Sequence, residues 1–113
     1  MTKKNFGIPD NVLTEIMERD RECVYCHKVM INPYNIENRR DSVTIEHLSP
    51  NPPFHWSDGM KANNIVMCCG SCNSSRGAKE LADWFKSPYC VSRNINEKTV
   101  AESVKSYLKR LNV

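Results

Sequence analysis

Residues 66–77 read Val66-Met67-Cys68-Cys69-Gly70-Ser71-Cys72-Asn73-Ser74-Ser75-Arg76-Gly77, and the Cys69-x-x-Cys72 pair inside them has an upstream counterpart in Cys23-Val24-Tyr25-Cys26. A C-x-x-C knuckle can set two thiolates on one zinc ion, so two knuckles supply a complete tetrahedral set of four sulfurs. Cys68 offers a competing register, but Cys68 and Cys72 are four apart, whereas Cys69 and Cys72 repeat the spacing of the first pair. Cys23, Cys26, Cys69 and Cys72 are therefore the expected structural zinc ligands, and Cys68 and Cys90 are expected to be buried or spare thiols. The 42 residues between the pairs exceed what a compact ribbon needs, so a sizeable element must lie between the knuckles. Three other readings of the cysteines exist: a redox C-x-x-C, a secreted disulfide domain, and buried free thiols. Paired knuckles argue against the first. The opening MTKKNFGIPD lacks the apolar core of a signal peptide, which argues against the second and gives a cytoplasmic chain with reduced thiols as the expectation.

Working outward, Ser42-Val43-Thr44-Ile45-Glu46-His47 alternates apolar and polar residues and is rich in β-branched ones, a strand that ends at His47. Lys28–Ile31 reads as a second short strand and Asn32-Pro33-Tyr34-Asn35 as a turn. Residues 48–60 hold Pro50, Pro52 and Pro53 with Ser-Asp-Gly, a surface loop of the kind that carries function. His55 and Trp56 within it either pack the loop down or touch a ligand. Cys72–Arg76 should begin a helix interrupted near Gly77, and Ala78–Lys86 a second one ended by Ser87-Pro88. Flanking helices are expected at about 9–20, with Val12, Leu13, Ile16 and Met17 on one face, and at about 96–111. In the latter, Asn96 would be the N-cap and Val100, Val104, Tyr107, Leu108 and Leu111 the stripe. The expected architecture is α+β in a single domain over 1–113, with its core motif at 23–79.

At 113 residues, 40% hydrophobic and 26% charged, the chain suits one globular domain, and no apolar run reaches the roughly 18 residues of a membrane span. The net charge of +3 does not by itself imply nucleic acid. Its distribution is more telling. Residues 66–113 carry eight Lys/Arg against four Asp/Glu, whereas residues 1–65 carry eight against nine.

Taken together, Cys23-x-x-Cys26, Ile45-Glu46-His47-Leu48-Ser49-Pro50, Asn64-Ile65-Val66 and Cys69-x-x-Cys72-Asn73-Ser-Ser-Arg-Gly77 occur in an order that resembles the HNH endonuclease family. That family's ββα-metal fold is often stapled by such a zinc site. The resemblance implies a metal-dependent endonuclease hydrolysing phosphodiester bonds in DNA, with RNA as the other candidate substrate. It implies His47 as general base, and Glu46 and Asn73 as ligands of a catalytic Mg²⁺ or another divalent ion such as Mn²⁺ or Ni²⁺. Asn64 would hold the loop and orient the strand bearing His47. The family more often has Asp where this chain has Glu46, and many members have His at the position of Asn73.

The residue types suit the chemistry. Phosphodiester hydrolysis needs a base for water and a cation for the developing charge; imidazole, with a pKa of ~6.5, is largely neutral near pH 7. Glu46 and His47 are strand neighbours whose side chains start on opposite faces, so the strand end must bend for both to serve one site. Arg76 and Lys79, one turn apart, are expected to contact substrate phosphate. The competing function is a non-catalytic zinc module that binds nucleic acid or a protein. A membrane partner is not expected; monomer and homodimer both remain open.

Overall fold

The computed structural model describes residues 5–57, 59–60 and 62–111. Its centre is an antiparallel hairpin of β1 (Val43–His47) and β2 (Ile65–Cys69), in register from Val43 opposite Cys69 to His47 opposite Ile65. All five residues of β2 are buried, because helices cover the hairpin from both sides. Helix α1 (Asp10–Arg19) buries Leu13 and Ile16, and its end is tied to β2. Asp20 Oδ2 accepts from Met67 N at 3.0 Å and Arg19 Nη2 donates to Ile65 O at 2.9 Å, so backbone groups of a two-stranded sheet find side-chain partners.

On the other face lies α2 (Gly70–Arg76), which follows β2 without a loop. Its N-cap is Cys69, whose Sγ accepts from Cys72 N. It ends at Gly77 with φ +55°, a left-handed backbone that glycine adopts without a Cβ penalty. Three further helices, α3 (Leu81–Trp84), α4 (Pro88–Arg93) and α5 (Glu102–Leu111), wrap the knuckles. Trp84 is fully buried, edge-on to Tyr25 at 4.9 Å, and its Nε1 donates to Ser75 Oγ. The first knuckle is stitched to both sides by Val24, whose N–H donates to Met67 O and whose carbonyl accepts from Ala101 N.

The α+β architecture, the strand at 43–47, α1 and the described residues of the 48–60 loop agree with the sequence reading, Asp58 of that loop lying outside the described residues. Four features differ. Lys28–Ile31 forms only isolated bridges, Glu22 with Val29 and Ile31 with Ser42, because its neighbours are a knuckle and a turn rather than a strand. Ser87-Pro88 starts a helix instead of only ending one: Ser87 Oγ accepts from Cys90 N, and Pro88 occupies the first turn, where its missing N–H costs nothing. The helix expected from Ala78 shrinks to Leu81–Trp84. The C-terminal helix begins at Glu102, since Asn96 Oδ1 accepts from Lys98 N in a separate turn and Ala101 is held by Val24. Val100, Val104 and Tyr107 are buried as expected, whereas Leu111 is exposed. Among the described residues, no helix is long and apolar enough to cross a membrane.

Candidate functional site

Cys23, Cys26, Cys69 and Cys72 converge, with their four sulfurs within 4.8 Å of one another. Cys26 Sγ and Cys69 Sγ are 3.8 Å apart, the separation of roughly 3.8 Å that tetrahedral coordination at Zn–S ~2.3 Å requires. The N–H groups of Tyr25 and Cys72 point at Cys23 Sγ and Cys69 Sγ at 3.5 Å, and Tyr89 Oη lies 3.3 Å from Cys72 Sγ. Hydrogen bonding to Cys23 pulls Cys69 down to about 7 and Cys26 well below the ordinary thiol range. The same sharing pushes Cys23 and Cys72 up, through Cys26 and Cys23 respectively. Four thiolates crowded at one centre repel one another, and a divalent cation there would let all four ionise. The cluster fits a structural metal such as zinc. Cys68 and Cys90 are buried free thiols outside it, which settles the register on Cys69.

At the far end of the hairpin, His47 is half-buried between Phe6 and Phe54, with ring centroids at 4.7 and 5.2 Å. Its Nε2 lies 2.9 Å from Phe54 O. A carbonyl only accepts, so Nε2 carries the proton and Nδ1 of the neutral ring keeps a lone pair. Burial lowers the His47 pKa below its ordinary value, opposed by the Phe54 hydrogen bond. The recess around it is lined by Ser49, Asn51, Pro53, Met60 and Asn64 among others. Trp56 packs against the core and its N–H donates to Phe6 O, so the loop is folded down onto the N-terminal segment. Asn64 positions this end through its backbone: Leu48 N donates to Asn64 O at 2.9 Å, while Asn64 Oδ1 accepts from Arg110 Nη2.

Glu46 is elsewhere. β1 stays paired through His47, so the bend required to bring the two neighbours together does not occur. Glu46 points toward α2, 5% exposed, with Oε2 accepting from Tyr25 Oη at 2.7 Å and Arg76 Nη1 at 3.0 Å. Burial raises its pKa, partly offset by Arg76. A cation on this carboxylate would have to share it with a guanidinium, so Glu46 and Asn73 do not fit a catalytic divalent ion in this arrangement.

Arg76 is buried rather than presented to a ligand. At 1% exposure it cannot offer its guanidinium to a substrate phosphate. Besides Glu46, it donates to His47 O, Leu48 O and Lys79 O, a clamp that joins the end of α2 to the end of β1. Lys79 is exposed and its Nζ donates to Ser75 O. Asn73, three residues before Arg76 on the same helix face, donates from Nδ2 to Thr44 Oγ1 at 3.0 Å and Ile45 O at 3.2 Å. Asn73 also lines a groove with Thr44, Arg39, Arg40 and Arg93. Sequence reasoning misses these arginines. The Arg39-Arg40 doublet is plain in the letters, but charge counted by halves of the chain conceals its meeting with Arg93. No family model matches the chain, and neither a curated protein nor a solved structure matches it.

Proposed function

We propose that the chain is a zinc-stapled, HNH-type module that hydrolyses nucleic-acid phosphodiester bonds, DNA first, with His47 as the general base. The observation that carries this reading is the orientation of His47. One ring nitrogen is pinned by the Phe54 carbonyl, which leaves the other nitrogen of the neutral ring as an acceptor, and His47 lines a recess at the end of a hairpin whose opposite end holds the four-cysteine cluster. A water placed at Nδ1 gives up its proton to the imidazole as its oxygen attacks phosphorus, and the ester oxygen leaves opposite to it. The Phe54 hydrogen bond fixes the tautomer for that step, and Arg76 anchors the backbone that carries the ring through its hydrogen bonds to His47 O and Leu48 O. Asn64 belongs to the same scaffold through its backbone bond to Leu48.

A second reading is a nucleic-acid-binding zinc module without turnover, and the sealing of Glu46 by Tyr25 and Arg76 favours it. One experiment separates the two. Zinc-loaded protein is incubated with supercoiled plasmid, with and without added Mg²⁺, Mn²⁺ or Ni²⁺, beside His47→Ala. Nicking by the wild type and none by His47→Ala supports hydrolysis. Equal cleavage by both, or none under any condition, rejects it.

A further inference from the structure

A groove of about 590 Å³ runs beside the metal cluster, on the α2 side of β1. Its lining includes Arg39, Arg40, Arg93, Tyr34, Tyr89 and Asn73, and it contains no carboxylate. Arg39 and Arg40 are exposed on the 3-10 segment Ile36–Asp41, and neither enters an ion pair among the described residues. Arg93 comes from α4, with its Cζ 3.7 Å above the Tyr89 ring and Nη1 donating to Tyr89 O. Tyr89 in turn touches Ser71 Oγ and Cys72 Sγ. Three arginines from two separate segments thus line one concavity, and no carboxylate among the described residues lines it with them.

Their placement is built into the backbone. Gly70, the first spacer of the second knuckle, lies so close to the 3-10 segment that a Cβ there would collide with the carbonyl oxygen of Arg39. Gly70 N also donates to Ser42 O, the residue that closes that segment. The arginine doublet is therefore held against the start of α2 by contacts that only glycine permits.

We propose that this groove binds the sugar–phosphate backbone of a nucleic-acid strand, with Arg39, Arg40 and Arg93 as its phosphate contacts. The planar guanidinium matches phosphate oxygens bidentately, and an exposed Tyr34 at the rim offers a face to a base, as polymer-binding grooves do. Thr44, in the groove wall, is three residues from His47 on β1, ~10 Å at ~3.3 Å per residue. The two side chains lie on opposite faces of β1, so a polymer strand seated in the groove must pass around the edge of the hairpin to reach His47. The identity of the polymer rests on the function proposed above, whereas the site itself rests on the arginines.

The test uses zinc-loaded, full-length His47→Ala protein and fluorescein-labelled single-stranded and duplex DNA, with anisotropy read across a salt series. Arg39→Ala/Arg40→Ala and the triple variant adding Arg93→Ala are compared with Arg21→Ala/Lys98→Ala, which removes two charges outside the groove. The double groove variant should weaken binding about tenfold or more, and the triple variant further, with the slope of log K against log salt falling by roughly 0.7–0.9 for each phosphate no longer neutralised. The control pair should change affinity by less than about threefold. Unchanged affinity and slope in the triple variant, or an equal loss in the control pair, overturns the proposal. Zinc content and melting of each variant show that it is folded; the Arg39/Arg40 pair, being exposed, keeps the test valid if Arg93→Ala disturbs Tyr89. Binding lost in the groove variants while wild type leaves plasmid intact rejects hydrolysis alone. Plasmid cleavage by wild type with normal binding by the groove variants rejects the groove alone.

Discussion

The two ends of the β1–β2 hairpin are held by different physics. At the Val43–Cys69 end, four sulfurs gather at one centre and the backbone turns around them are tied by N–H···S or sheet hydrogen bonds. At the His47–Ile65 end, the chain leaves the sheet into a proline-rich loop anchored at a few places: Leu48 N to Asn64 O, Trp56 N to Phe6 O and the Phe54 carbonyl on His47. Between them, Arg76 reaches from the metal-linked helix to the carbonyls of His47 and Leu48. One end offers four thiols that a metal could join; the other holds an imidazole oriented by the Phe54 carbonyl. Arg76 carries the order of the first to the second.

Breaking the metal end should have the largest effect. Cys26→Ser, or chelation of the wild-type protein, is expected to unfold the domain, because binding at structural zinc sites is worth on the order of 10 kcal/mol and drives folding directly. Far-UV circular dichroism and metal content check this; an unchanged melt in Cys26→Ser would remove the cluster from its structural role. Next is the clamp. Arg76→Met leaves Glu46 buried without its cation and should cost about 3–5 kcal/mol in denaturant unfolding. Burial already raises the Glu46 pKa and Arg76 opposes that rise, so the variant raises it further. A carboxyl whose folded-state pKa exceeds its unfolded value loses stability as pH climbs between the two, so the deficit should grow as pH rises from ~4.3, the ordinary glutamate value, toward neutrality. Adding Glu46→Gln should recover part of it; a deficit independent of pH would show that the carbonyl hydrogen bonds of Arg76 dominate.

Smaller still is Asn73→Ala, which deletes hydrogen bonds to Thr44 Oγ1 and Ile45 O and should cost about 1–2 kcal/mol while lowering cleavage. His47→Ala should leave melting within about 1 kcal/mol of wild type, since the ring is only half-buried, while abolishing plasmid nicking. A large stability loss there would mean that the loop end is as firmly held as the metal end.

How much of the molecule is legible in its sequence follows from what each signal encodes. The cysteine spacing encodes a local geometry, and both pairs fold into it. The alternation at 43–47 encodes a half-buried strand, and it forms. Glu46 and His47 pair up on paper because they adjoin, yet a strand that stays regular separates adjacent side chains, and nothing in the letters says whether its end bends. Arg76 reads as exposed because α2 is polar throughout; its face is decided by where α2 sits on β1, which composition does not record. Ser87-Pro88 is compatible with a helix stop and a helix start alike, and only Cys90 N, capped by Ser87, distinguishes them.

Gly70 has a thermodynamic consequence. It stands between two cysteines of the cluster and also presses on the backbone of Arg39, so the geometry that would admit a metal is the geometry that presents the arginine doublet. Two ligands that favour one conformation help each other reciprocally. By whatever factor zinc tightens the groove's hold on a nucleic-acid strand, the strand must tighten the protein's hold on zinc, so the zinc dissociation constant should fall when the groove is filled.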